Sequence, residues 1–96
     1  MDTEIVIPEE ARQRYLERRQ KDIETLRAAL SVHMFEEFKR IGHQIKGNAA
    51  SFGYGDLEKV AVQLEQAGER QDTQEAARQL DLFQKWLERT SVQRGA

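Results

Sequence analysis

The sequence predicts an all-α fold, an antiparallel four-helix bundle, on three observations. Helix breakers are scarce, with six glycines and one proline in 96 residues. Glu, Gln, Arg, Lys, Leu and Ala, which lose least on entering a helix, supply much of the rest. Apolar residues recur at steps of three and four in four stretches joined by short connections, the pattern of amphipathic helices packed side by side. A chain this short supports one hydrophobic core, so residues 1–96 are read as a single domain.

The first helix is placed at roughly 8–31. Pro8 suits an initial helical turn, and Glu9 and Glu10 sit where the positive end of the helix dipole favours carboxylates. Its inward side reads Tyr15, Leu16, Ile23, Leu26 and Leu30. A break near residues 12–14 would leave a short N-terminal helical extension. The second helix, 34–52, carries Phe35, Phe38, Ile41, Ile45, Ala49 and Phe52 on one stripe and is the most regular of the four. Its start is poorly marked, because Ser31-Val32-His33-Met34 offers no capping box. Gly53 is a natural left-handed terminator. The third helix, 55–69, turns Leu57, Val60, Ala61, Leu64 and Ala67 inward and ends near Gly68. Asp72 followed by Glu75 resembles a capping box opening the fourth, 73–90, whose stripe is Ala76, Leu80, Phe83 and Leu87 with Trp86 beside it. Residues 91–96 are expected to fray.

Composition excludes several classes of function. Without cysteine there are no disulfides and no thiolate metal sites, which fits a reducing cytoplasm. A formal net charge of -2 gives no global attraction for nucleic acid or an anionic membrane. No apolar run reaches bilayer length, and the N-terminus lacks a charged-then-apolar signal pattern. There is no Gly-rich phosphate loop following a strand, so ATP chemistry is expected on another polypeptide or domain. His33 and His43 are badly spaced for joint metal ligation on one helix, and His33 is most simply a loop residue. The basic run from Arg12 to Lys21 reads as a solvated, ion-paired helix face, and the aromatic residues read as core.

The segment that carries chemistry is His43-Gln44-Ile45-Lys46-Gly47-Asn48-Ala49-Ala50-Ser51-Phe52-Gly53. His43 lies about 200° around the helix from Ile45 and therefore points away from the core. Lys46 and Gly47 follow one turn along that outer face and Ala50 a turn later, while Lys39 and Arg40 come one turn before. A histidine on a helix surface is ordinarily a solvated residue with no role, and a nearby lysine explains nothing by itself. Gly47 is different, because glycine in a helix interior costs roughly 1 kcal/mol relative to alanine and needs a reason. A neutral imidazole is a good nucleophile near neutral pH, a lysine one turn away can offset the charge of a phosphoryl group, and a glycine clears space for another protein's backbone. If the second and third helices pack antiparallel about Tyr54, positions equidistant from it lie level, which sets His43 beside Glu65. A carboxylate accepting from Nδ1–H would fix the imidazole tautomer and leave Nε2 free to attack phosphorus.

With these residues the sequence resembles the histidine phosphotransfer (HPt) domains of bacterial multistep phosphorelays and chemotaxis kinases. The resemblance rests on His43, Ile45, Lys46, Gly47, Gly53 and Leu57, and extends more loosely to the Ile7-Pro8 start and the segment from Tyr15 to Arg19. It implies a four-helix bundle, a phosphohistidine at His43, charge compensation by Lys46, a docking glycine at Gly47 and a hydrogen-bonding partner for the histidine at Glu65. The docking surface is assigned to Gly47, Ala50, Lys39, Arg40 and Tyr54. Partners implied are response-regulator receiver domains and a sensor histidine kinase. The chain itself is expected to hold no cofactor or metal, Mg²⁺ belonging to the receiver, and to act as a cytoplasmic monomer. Two departures stand out: Gly42 precedes the histidine where a larger side chain is common, which would loosen the helix there, and His33-Met34 replaces the usual polar turn. The alternatives are an HPt-like adaptor that docks receivers unphosphorylated and a plain structural bundle.

Overall fold

The computed structural model describes residues 7–95, with side chains through Val92. It has four α-helices: α1 Glu9–Ser31, α2 Phe35–Asn48, α3 Gly55–Arg70 and α4 Thr73–Gly95. Each helix packs on its neighbours in the chain, and α1 closes the ring against α4. The core takes Leu16, Ile23 and Leu26 from α1 and Phe38, Ile41 and Ile45 from α2. Leu57, Ala61 and Leu64 come from α3, and Leu80, Phe83 and Trp86 from α4, all buried. These residues lie on or beside the stripes expected from the three-and-four spacing, while Leu30, Phe35, Phe52 and Val60, also expected there, are only partly buried. Among the described residues there is no strand, and no helix is long and apolar enough to cross a membrane. Residues 1–6 and Ala96 lie outside the described residues.

The helix ends depart from the sequence expectations in instructive ways. α1 is continuous through residues 12–14, so there is no separate N-terminal extension among the described residues. α2 stops at Asn48, and a 3₁₀ turn over Ala50–Phe52 replaces the last turn expected there. The tighter turn brings the Phe52 ring onto Tyr15, stacked at 4.2 Å between centroids. Arg12 Nη1 donates to the Phe52 carbonyl at 2.8 Å, satisfying one of the acceptors a helix end leaves open. α3 ends at Arg70, two residues past Gly68 and one past the expected bound. α4 continues to Gly95, because the segment expected to fray contains no breaker before that glycine.

One motif closes three of the helical segments. After α1, His33 N–H donates to Leu30 and Met34 N–H to Ala29; after the 3₁₀ turn, Gly53 donates to Ala50 and Tyr54 to Ala49. After α3, Gln71 donates to Gly68 and Asp72 to Ala67. Each is a Schellman pattern turning on a left-handed residue, with φ of 58° at His33, 83° at Gly53 and 54° at Gln71. The glycine suits this conformation, whereas His33 and Gln71 adopt it against their side chains. Half of the expected capping box forms: Glu75 N–H donates to Asp72 Oδ1 at 3.1 Å. The Glu75 carboxylate turns instead to Arg78 and Gln79.

Candidate functional site

α2 buries Ile41 and Ile45 and thereby turns His43 outward, with 69% of its side chain exposed. α3 supplies Glu65, one position past the buried Leu64, and its side chain is 18% exposed. The carboxylate divides its two oxygens. Oε2 lies 3.3 Å from His43 Nδ1, and Oε1 accepts from Lys46 Nζ at 2.7 Å. The Lys46 hydrogen bond is the main reason the Glu65 carboxyl is held below the usual glutamate range, with a smaller contribution from His43. An anionic Glu65 favours the proton on Nδ1, which leaves Nε2 unprotonated on an exposed ring.

Gly47 is exposed, and a Cβ built there would meet nothing within 4 Å. Ala50 is exposed too, but in the 3₁₀ turn rather than on a continuing α-helix. Lys39 and Arg40 are not free cations: Lys39 pairs with Glu36 at 3.3 Å, and Arg40 forms an ion pair with Glu37. Lys46 is likewise engaged with Glu65, so the positive surroundings expected for His43 are offset by neighbouring carboxylates. Tyr54 stands apart from this group. Its half-buried ring meets Trp86 edge-on at 5.0 Å and Tyr15 at 5.7 Å, at the far end of the α2–α3 hairpin.

Three features escaped the sequence reading. Gly42 does not loosen α2; it is buried against α3, where a Cβ would come within 2.7 Å of Glu65 N and 2.8 Å of Ala61 O. Its phase, four residues after Phe38 and one after Ile41, was the available signal of close helix approach. Asn48 accepts from the Tyr15 hydroxyl at 2.8 Å, tying α1 to the end of α2. Burial raises the pKa of that phenol and so keeps it a donor. Arg19, expected on a solvated face, is buried, paired with Asp22 at 2.7 Å and held over the Tyr15 ring at 4.4 Å. Among the described residues, no group of three or more His, Asp or Glu is arranged to hold a metal ion.

A family model described as the Hpt domain matches residues 10–92. The chain belongs to the Hpt domain family. Comparison with curated proteins and with solved structures gave no match. Hpt domains are phosphocarrier modules that serve histidine phosphotransfer in phosphorelays and work with two-component receiver and kinase proteins. The match runs from the start of α1 into the last turns of α4, so it covers every helix that holds His43, Lys46 and Glu65 in place.

Proposed function

We propose that this Hpt domain accepts a phosphoryl group on His43 Nε2 from a phospho-aspartyl receiver or a sensor kinase and passes it to a receiver aspartate. The observation that carries the reading is the Glu65 contact on Nδ1 of an exposed imidazole, which supports a tautomer with Nε2 available. In transfer from a receiver, Nε2 attacks phosphorus, the N–P bond forms as the aspartyl O–P bond breaks, and the aspartate leaves as a carboxylate. The imidazole keeps its Nδ1 proton, and the anionic Glu65 offsets the positive charge the ring acquires. Lys46 is within reach to turn from Glu65 towards the phosphoryl oxygens. Gly47 and Ala50 give the partner clearance, while Lys39 and Arg40 flank the approach as ion-paired side chains. Mg²⁺ and most of the transition-state stabilisation belong to the receiver, ATP chemistry to the kinase. The domain works as a monomer in the cytoplasm.

The test is transfer from a labelled phospho-receiver. Wild type should gain label that is labile in acid and persistent in alkali, as for a phosphoramidate. His43→Gln should gain none, His33→Gln should match wild type, and Lys46→Ala should be slowed. Label surviving in the His43 variant would overturn the reading.

A further inference from the structure

We infer that Gly42 is a positioning residue for the His43–Glu65 pair: the missing side chain sets the separation of α2 and α3 at which the Glu65 carboxylate reaches Nδ1. The inference rests on the acceptor role proposed for His43 and adds to it a residue that touches neither the phosphoryl group nor the partner.

The clash at position 42 is with backbone, not with a flexible side chain. A Cβ there would lie 2.7 Å from Glu65 N, 2.8 Å from Ala61 O and 3.0 Å from Glu65 Cα. Carbon contacts are comfortable at about 3.5–4.0 Å, so an alanine must push α3 away by several tenths of an ångström or more. The displaced backbone is that of Glu65 itself, and the neighbour of Gly42 in sequence is His43. The movement therefore falls on the interhelical His43–Glu65 contact that orients the imidazole. At 3.3 Å that contact is already at the long end of hydrogen bonding, so a small separation ends it. The second hydrogen bond of the same carboxylate should survive, because Lys46 reaches Oε1 at 2.7 Å on a flexible four-carbon stem. The expected signature is thus selective: Glu65 releases the imidazole and stays paired with the lysine.

Gly68 provides an internal comparison. It faces α2 from α3, where a Cβ would come within 2.8 Å of Phe35 O and 2.9 Å of Lys39 N. An alanine at Gly68 strains the same helix pair, but at a level displaced from His43 towards the start of α2. If helix separation governs the imidazole, Gly68→Ala should produce a weaker effect of the same kind. Leu87 on α4 is buried away from this contact, so Leu87→Ala destabilises the core without changing α2–α3 spacing.

The experiment is nitrogen-15 NMR of the His43 ring at alkaline pH, with the imidazole neutral, on wild type, Gly42→Ala, Gly68→Ala and Leu87→Ala. Receiver-to-domain transfer and thermal stability are measured in parallel. Wild type should be enriched in the Nδ1–H tautomer. Gly42→Ala should move the population towards Nε2–H and slow transfer by roughly ten-fold or more, in keeping with the cost of misplacing a reacting group. Gly68→Ala should shift the tautomer less, and Leu87→Ala should leave it at the wild-type ratio despite lower stability. Should Gly42→Ala fail to fold, the contrast between Gly68→Ala and Leu87→Ala decides. A wild-type tautomer ratio in folded Gly42→Ala, or equal ratios in Gly68→Ala and Leu87→Ala, would reduce Gly42 to a packing residue. If wild type takes no label, the acceptor reading fails separately, and the ring spectra still judge the positioning claim.

Discussion

Gly42 and Gly47 stand five positions apart on one helix, one buried against the α3 backbone and the other open to solvent. Both sacrifice helix propensity, and they do so on opposite sides of the same histidine. At Gly42 the missing methyl lets a neighbouring helix of the same molecule approach; at Gly47 it leaves open space, the clearance proposed for a docking partner. A glycine inside a helix is therefore not one kind of signal. Its phase relative to the apolar stripe separates an internal contact from an external one.

Substitutions at these positions test the contrast between the two glycines. The largest effect belongs to Gly42→Ala, which should cost about 1–3 kcal/mol through overpacking against α3 in spite of alanine's better helix propensity. Chemical denaturation would measure it, and an unchanged stability would erase the distinction between the two glycines. Gly47→Ala should instead stabilise by up to ~1 kcal/mol, since nothing opposes the new methyl. Gly47→Gln should also fold while transfer from a receiver declines with side-chain size. If it unfolds, Gly47 serves internal packing; if it transfers normally, the partner docks elsewhere.

Gln71→Gly extends the comparison to a place where glycine is absent although the backbone asks for it. With φ at 54° in the Schellman turn after α3, glycine should gain roughly 0.5 kcal/mol, the relief of left-handed strain offset by a more flexible unfolded chain. A thermal melt that shows a loss would mean that the Gln71 side chain contributes more than its backbone costs.

The smallest effect is electrostatic. Glu65 titrates below the usual glutamate range in the folded domain, so its ionised form contributes stability above the unfolded value of about 4.3. The unfolded state binds the proton first, and this contribution disappears as pH falls through the lower, folded value. Wild type should therefore lose slightly more stability than Glu65→Gln on acidification through that window. Parallel losses in the two proteins would mean that the Lys46 and His43 contacts add nothing to the fold.

Much of this architecture was legible because periodicity reports phase directly. The core stripes followed from three-and-four spacing, and counting outwards from Tyr54 placed Glu65 beside His43 across an interhelical gap. Less legible was anything decided by a contact between elements. The turn at Ala50–Phe52 tightens where Tyr15 and Arg12 of another helix meet Phe52. Arg19 is buried because Asp22 and the Tyr15 ring together receive its charge. Lys39 and Arg40 were placed correctly on the outer face, yet their pairing with Glu36 and Glu37 depends on rotamers that spacing does not reveal.

The Lys46–Glu65 ion pair sets a lysine cation against a carboxylate beside the His43 ring, so these two charges offset each other. On the proposed acceptor role, a phosphoryl group would add between one and two negative charges beside a lysine already engaged by Glu65. Lys46 would then have two anions to serve, and whatever it gave to one it would withdraw from the other. On the proposed role, loading the histidine would exchange one contact of Lys46 for another rather than add a new one.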